Sequence, residues 1–214
     1  MFEKILNLIS PNVCGFCDKI NNNNLCKNCE LMLSKYEKNC IKDCAKEKYF
    51  DYLFCALKYE NIVREKIIQY KFNEKSYLYK TFAKIIIKNK KIYGFLKLYD
   101  IIITVPMFKN KKAVRGYNQS ELIAKEIGKQ WGLAFEKDIL IKIKNTQVQS
   151  TLNKTQRVEN VKDAFDVKDN TKVKNKKIVL IDDIYTTGST VNECSKILKK
   201  AGAKEICVVT IAKD

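Results

Sequence analysis

Residues 178–191 place the strongest constraint on what this chain can fold into. They read IVLIDDIYTTGSTV: an apolar strand that ends in two acids, a short loop of Thr and Gly, and the start of a helix near Ser189. Such a loop can turn successive backbone N–H groups toward one phosphate, and a helix N-terminus adds a favourable dipole. The loop would contribute four hydroxyl donors and one glycine that permits close backbone approach: Thr186, Thr187, Ser189, Thr190 and Gly188.

The two acids, Asp182 and Asp183, would repel a phosphate if they faced it. They are better suited to accept hydrogen bonds from the vicinal hydroxyls of a ribose, so the segment predicts a sugar-phosphate ligand. The GK[ST] sequence of a Walker loop and the dinucleotide pattern G-x-G-x-x-G are both missing. The alternative is an ordinary strand–turn–helix with capping Ser and Thr, but two purposeless acids at a buried strand end would be destabilising.

Apolar periodicity beyond residue 56 predicts alternating helices and strands. This order is typical of right-handed βαβ units and a parallel sheet, and therefore of the α/β class. The predicted helices cover 59–72, 77–88, 118–131 and 189–201, and the predicted strands cover 99–105, 176–184 and 205–212.

Seven of the nine cysteines lie in the first 55 residues. Four of them form the pattern C-x2-C-x8-C-x2-C, which is typical of a structural zinc site with four thiolate ligands: Cys14, Cys17, Cys26 and Cys29. An iron–sulfur cluster and free thiols are the alternatives. A catalytic zinc would need an open coordination position, and the chain has no His. Three further cysteines could be the remnant of a second site, core residues or free thiols: Cys40, Cys44 and Cys55.

The formal charge of +17 favours a polyanionic partner, such as nucleic acid, a phosphorylated metabolite or an anionic membrane surface. Residues 1–55 carry a net charge of +1 and residues 56–214 carry +16, so the excess lies outside the cysteine-rich segment. A genomic preference for Lys is the alternative explanation. We expect two domains, a zinc ribbon over 1–55 and an α/β domain over 56–214.

Targeting signals and apolar runs indicate where a protein acts. The first residues lack a secretory signal, and no run of 18 apolar residues is present. We therefore expect a cytoplasmic protein with reduced cysteines and no membrane insertion.

Residues 178–191 resemble the motif by which type I phosphoribosyltransferases bind 5-phosphoribosyl 1-diphosphate (PRPP). Three further blocks resemble those of the ComF family of competence proteins: YENIVREKIIQYKF at 59–72, VPMFKNKKAVRGYNQSELIA at 105–124 and TQVQSTLNKTQRVENVKDAF at 146–165. The resemblance implies a type I phosphoribosyltransferase-like twisted parallel sheet with flanking helices, plus an N-terminal four-cysteine zinc ribbon. It also implies that Asp182 and Asp183 hold the ribose hydroxyls, that 186–190 hold the 5-phosphate, and that Mg²⁺ accompanies PRPP.

All three arginines of the chain fall inside the ComF-like blocks. The resemblance implies diphosphate contacts from Arg115, with Lys111 and Lys112 nearby. It also implies that Arg157, in the polar stretch 145–160, belongs to a mobile loop that closes over the ligand. The alternative for Arg115 and Arg157 is a structural ion pair.

The ComF resemblance implies a DNA-uptake factor of natural transformation that binds single-stranded DNA and PRPP. Its partners would be other competence proteins, including a helicase and a recombination mediator. Two alternatives stay open: an active phosphoribosyltransferase of nucleotide metabolism, and a non-catalytic nucleotide-sensing scaffold. The sequence identifies no general base and no base-binding hood, so it leaves open whether the protein is an enzyme.

Overall fold

A six-stranded sheet forms the centre of the protein. The computed structural model describes residues 12–46, 48–72, 75–108, 113, 116–147 and 152–214. Its strands, in chain order, are β1 Glu37–Asp43, β2 Tyr52–Lys58, β3 Ile101–Thr104, β4 Ala134–Phe135, β5 Leu140–Lys142, β6 Phe165–Val167, β7 Lys177–Tyr185 and β8 Glu205–Lys213. The central sheet has the order β1-β2-β8-β7-β3-β4, and β5 and β6 form a separate antiparallel pair.

All neighbouring strands of the central sheet are parallel except β1, which pairs antiparallel with β2 at one edge. A parallel sheet is covered on both faces, and its strands are therefore apolar on both sides. The four residues of β3 are all buried, as are residues 178–181 of β7 and 206–212 of β8. The βαβ order read from the sequence and the mostly parallel sheet are thus confirmed.

Seven helices lie in the described part of the chain: α1 Lys27–Leu33, α2 Asn61–Phe72, α3 Leu78–Ile87, α4 Lys90–Leu96, α5 Gln119–Trp131, α6 Lys154–Val161 and α7 Ser189–Lys200. Helices α2, α3, α4 and α5 pack on one face of the sheet, against residues such as Ile102 and Val179. Helix α7 packs on the other face, against Leu180 and Val208. None of the helices in the described ranges is long and apolar enough to cross a bilayer.

The long apolar elements match the periodicity of the sequence to within two residues at each end. The prediction contained no α1, α4 or α6 and none of the strands β1, β2, β4, β5 and β6. Most of these elements are short or polar, and tertiary contacts rather than local pattern stabilise them. Strand β2 is the exception, because its seven residues YLFCALK are mostly apolar and the middle five are buried, so the sequence did carry a signal for it. Helix α6 covers the second half of the stretch 145–160, which was predicted to be a loop, and continues to Val161. Asn153 caps this helix through a reciprocal capping box with Gln156.

The expected boundary between residues 55 and 56 falls inside β2. This strand pairs with β8 along its length, from Tyr52 opposite Cys207 to Lys58 opposite Lys213. Residues 37–55 therefore contribute all of β1 and the first four residues of β2 to the central sheet. The four cysteines of the zinc motif lie in residues 12–36, which we call the cysteine lobe, and this lobe packs against α3.

Candidate functional site

A cleft of about 690 Å³ opens at the carboxyl ends of the central strands. Strands β3 and β7 are neighbours here, yet β3 leads through α5 to β4 on one side and β7 leads through α7 to β8 on the other. In open α/β sheets, ligands bind where the strand order reverses in this way. Of the residues predicted as a ligand site, the cleft is lined by Asp182, Asp183, Thr186, Gly188, Ser189, Thr190 and Arg157.

The two acids lie inside β7 rather than beyond its end. The strand continues to Tyr185, and Asp182 pairs with Thr210 of β8. Each carboxylate accepts a hydrogen bond from the next backbone N–H: Asp183 N lies 2.9 Å from Asp182 Oδ1, and Ile184 N lies 2.7 Å from Asp183 Oδ1. These bonds hold both carboxylates at the floor of the cleft.

Burial raises the pKa of Asp182 to about 7, and the neighbouring negative charge of Asp183 adds to the effect. The positive charges of Lys71 and Lys142 act in the opposite direction. Two adjacent carboxylates with little solvent resist simultaneous ionisation unless cations compensate them. The site is therefore short of positive charge, which a cationic or hydrogen-donating ligand can supply.

Lys71 and Lys142 are cleft residues that the site prediction did not include. Lys71 Nζ, at the end of α2, lies 2.9 Å from Asp183 Oδ2. Lys142 Nζ, at the end of β5, donates to Thr146 Oγ1 at 2.6 Å. The ComF-like block 59–72 contains Lys71 and was a signal for it, whereas nothing in the local sequence pointed to Lys142.

The turn after β7 requires a glycine. Gly188 has φ +75°, and a Cβ at this position would lie 2.4 Å from the hydroxyl oxygen of Tyr185. The Tyr185 ring cannot easily move away, because it packs edge-to-face on Phe50 with ring centroids 6.4 Å apart. The turn can therefore keep this conformation only with glycine here.

Helix α7 begins at Ser189, as the sequence predicts, and Gly188 is its N-cap residue without a side-chain hydrogen bond. The first N–H groups of a helix have no partner within the helix, and together with the helix dipole they form an anion site. Thr187 does not line the cleft; its Oγ1 lies 2.7 Å from Ser189 Oγ and so supports the loop. The geometry fits a phosphate at the N-terminus of α7.

Residues 117–119 hold the last turn of α2 in place. The Tyr117 hydroxyl donates to the carbonyl oxygen of Tyr70 at 2.7 Å, and Gln119 Nε2 donates to that of Lys71 at 3.4 Å. In return, the Tyr70 hydroxyl donates to the Gln119 carbonyl oxygen at 2.8 Å. Asn118 instead caps α5 by accepting from Ser120 N at 3.0 Å. The ComF-like Tyr-Asn-Gln sequence thus orients α2 toward the acids.

Arg115, Lys111 and Lys112 lie outside the described residues. Arg157 lies on α6 and faces the cleft, where its Nε donates to the carbonyl oxygen of Leu152 at 2.9 Å. Its guanidinium has further donors, so it fits a contact to an anionic ligand.

The four cysteines of the predicted zinc site come together in the cysteine lobe. Their Sγ atoms all lie within 4.8 Å of one another, and Cys17 Sγ lies 3.8 Å from Cys26 Sγ. A tetrahedral Zn²⁺ with Zn–S bonds of about 2.3 Å requires S···S separations of about 3.8 Å. Among the described residues no other such metal-binding group occurs; Cys44 and Cys55 are buried in the core, and the Cys40 side chain is not described.

Burial of Cys14 opposes ionisation, but the backbone N–H of Cys26 donates to its Sγ at 3.4 Å. With further hydrogen bonds from Cys17 and Phe16, this lowers the pKa of Cys14 to about 6. A thiolate that accepts backbone N–H groups is the arrangement of a zinc knuckle. The residues therefore fit a structural zinc with no open coordination position.

Sequence comparison finds relatives that align with most of the chain. The family model of the phosphoribosyl transferase domain matches residues 115–214. Competence protein F of Haemophilus influenzae is 29% identical over 97% of this chain and 93% of its own length. Competence protein ComFC of Streptococcus pneumoniae is 32% identical over 69% of this chain and 62% of its own. The DNA utilization protein YhgH of Escherichia coli K12 is 25% identical over 92% of this chain and 88% of its own length.

Comparison with solved structures finds matches to a PRPP amidotransferase and to a phosphoribosyltransferase. The glutamine PRPP amidotransferase of B. subtilis matches 62% of this chain with a TM-score of 0.42 and 20% identity. A hypoxanthine phosphoribosyltransferase of Staphylococcus aureus matches 63% with a TM-score of 0.42 and 14% identity. This chain spans 25% of the amidotransferase chain and 64% of the hypoxanthine enzyme.

Proposed function

Since this chain belongs to the ComF family of competence proteins, within the type I phosphoribosyltransferase superfamily, we propose that it is a DNA-uptake factor whose cleft binds PRPP. It would act in the cytoplasm on incoming single-stranded DNA. Other competence proteins, including a helicase and a recombination mediator, would be its partners. The names of its relatives, two competence proteins and a DNA utilization protein, support this role.

One observation carries the PRPP proposal: two adjacent carboxylates and the N-terminus of α7 line a single cleft. Asp182 and Asp183 can accept hydrogen bonds from a vicinal diol, whereas the loop 186–190 and α7 can donate to a phosphate. Ribose 5-phosphate carries both groups. The ribose would lie over the acids with its 5-phosphate at the loop.

Mg²⁺ fits the same acids, because carboxylate oxygens are the ligands it prefers. When bound with PRPP, the ion would neutralise the charge of the diphosphate. Arg157 would contact the anionic ligand from α6, and the family resemblance gives the same role to Arg115, Lys111 and Lys112.

Calorimetric titration of PRPP with Mg²⁺ tests the site. We expect wild-type protein to bind and the double variant Asp182→Asn, Asp183→Asn to lose at least about ten-fold in affinity, because charge-assisted hydrogen bonds to the diol are lost. Asp138→Asn is the matched control, since Asp138 is exposed and does not line the cleft. Equal PRPP affinity in the double variant and the wild type would refute this site.

The DNA part of the proposal rests on family membership and on the charge of +17. Binding of a fluorescent single-stranded oligonucleotide should weaken steeply with salt, since lysines that contact phosphates release counterions from the strand. No binding at low salt would refute a direct DNA contact. It would leave the PRPP site untouched, because the two measurements are independent.

A second candidate, phosphoribosyl transfer, is favoured by the pKa of Asp182 at about 7. A carboxylate that titrates near neutral pH is suited to accept a proton from an incoming nucleophile. Release of diphosphate from PRPP in the presence of a nucleobase would support this candidate. PRPP binding without release would favour the nucleotide-sensing scaffold instead.

A further inference from the structure

We propose that Lys71 selects the ligand: the Asp183 carboxylate and the anionic group at C1 of a ribose ligand compete for its ammonium. This inference rests on the proposed binding of a ribose phosphate in the cleft. It assigns to α2 a role in specificity that the phosphate loop cannot fill, because the loop recognises only the 5-phosphate end.

The ion pair of Lys71 with Asp183 is partly shielded but accessible from the cleft. Nζ lies 2.9 Å from Oδ2, and the side chains are 20% and 17% exposed. Both residues line the cleft. A ligand that hydrogen-bonds to the Asp183 carboxylate must therefore share it with Lys71 or displace the ammonium.

The backbone of Lys71 is held while its side chain retains rotatable bonds. Tyr117 and Gln119 donate to the carbonyl oxygens of residues 70 and 71, and the Tyr70 hydroxyl donates back to Gln119. The ammonium ends a flexible four-carbon stem and has three donors, so it can exchange one anion for another without moving the helix.

The positions of α2 and α7 on opposite faces of the sheet determine which end of the ligand lies near Lys71. Helix α2 packs through Val63 and Ile67 on one face of the sheet, and α7 packs through Val191 and Cys194 on the opposite face. A ribose lying over the acids with its 5-phosphate at α7 extends its other end toward α2. That end is C1, which is bonded to the hydroxyl-bearing C2 held at the acids.

This placement predicts a preference for ligands with an anion at C1. When PRPP binds, its ribose hydroxyls would bind the two acids. The Lys71 ammonium would then contact the diphosphate at C1. Ribose 5-phosphate has no anion at C1, so Lys71 would stay with Asp183 and compete with the sugar hydroxyls for that carboxylate.

The test measures dissociation constants of PRPP and ribose 5-phosphate for wild type, Lys71→Met and Lys71→Gln. We expect the PRPP affinity of both variants to fall at least about ten-fold, the effect of losing a charged hydrogen bond. The affinity for ribose 5-phosphate should stay the same or rise, because Lys71 no longer competes with the sugar hydroxyls for Asp183. Gln keeps an N–H donor for Asp183 without the charge, so it also serves if the Met variant does not fold. Lys129→Met is the matched control, because Lys129 is exposed on α5 and does not line the cleft.

A fall by the same factor for both ligands, or for neither, would overturn the inference and make Lys71 only a structural partner of Asp183. Failure of the proposed function gives a different result: PRPP would not bind wild type, or would bind the double Asn variant of the two acids equally well. The variants of Lys71 and of the acids therefore separate the two claims.

Discussion

Lys66 Nζ lies 3.5 Å from Asp18 Oδ2 and so connects a buried lysine of α2 to the cysteine lobe. The Lys66 side chain is 5% exposed and that of Asp18 is 52% exposed. The Tyr77 hydroxyl donates to the other oxygen of the same carboxylate at 3.3 Å. A buried ammonium is costly unless it is paired, so the lobe stabilises the helix that carries Lys71 into the cleft.

Asp18→Asn should lower the free energy of unfolding by about 1–2 kcal/mol, because it leaves Lys66 buried without a counter-charge. Asn tolerates the φ of +57° that Asp18 adopts, so backbone strain does not contribute. Urea denaturation measures the change. Adding Lys66→Met should recover part of the loss; a double variant as unstable as the sum of the single ones would contradict the coupling.

Gly188→Ala should weaken PRPP binding at least about ten-fold, because the new Cβ meets Tyr185 at 2.4 Å and the turn must move. Gly132→Ala is the matched control: Gly132 has φ +70°, but its Cβ would meet nothing within 4 Å. The control should lose about 1–2 kcal/mol of stability from backbone strain and keep its PRPP affinity. Calorimetry and thermal unfolding give the two readouts, and equal binding in both variants would contradict a close backbone contact.

The raised pKa of Asp182 predicts a pH-dependent stability. The folded-state pKa of about 7 exceeds the ordinary value of 3.8, so the unfolded chain releases this proton more readily. The stability from Asp182 is fully present below pH 4 and is lost as pH rises toward 7. Asp182→Asn should therefore stabilise the protein at pH 8 by on the order of 2 kcal/mol and have little effect at pH 4. A gain that does not change with pH would contradict the assignment.

Cys29→Ser should remove the metal from the cysteine lobe, because a tetrahedral zinc site needs all four thiolates. The lobe contacts α3 through polar bonds, including Lys84 Nζ to the Asn23 carbonyl oxygen at 2.6 Å and Thr81 Oγ1 to that of Asn24 at 2.8 Å. Metal loss should thus expose residues 12–36 to limited proteolysis. Elemental analysis should give one zinc per wild-type chain and none in the variant, while Cys207→Ala, at a buried cysteine of β8 outside the metal group, should retain it.

Where a feature depends on residues close in sequence, the sequence predicts it well. The start of α7 at Ser189 and the C-x2-C knuckles of the lobe follow from short-range geometry. The same holds for the apolar strands β7 and β8, whose burial follows from their composition.

The pairing of Lys71 with Asp183, the charge effect of Lys142 on Asp182, and the entry of β1 and β2 into the central sheet do not follow from local sequence. These residues lie far apart in the chain, and their contacts depend on the strand order and on which face each helix covers. By itself the sequence determined that a strand with two acids, a glycine turn and a helix follow one another, and it predicted a phosphate site there. Only the tertiary structure decided which cations share the cleft with those acids, because α2 and β5 bring Lys71 and Lys142 there through packing that no local pattern encodes.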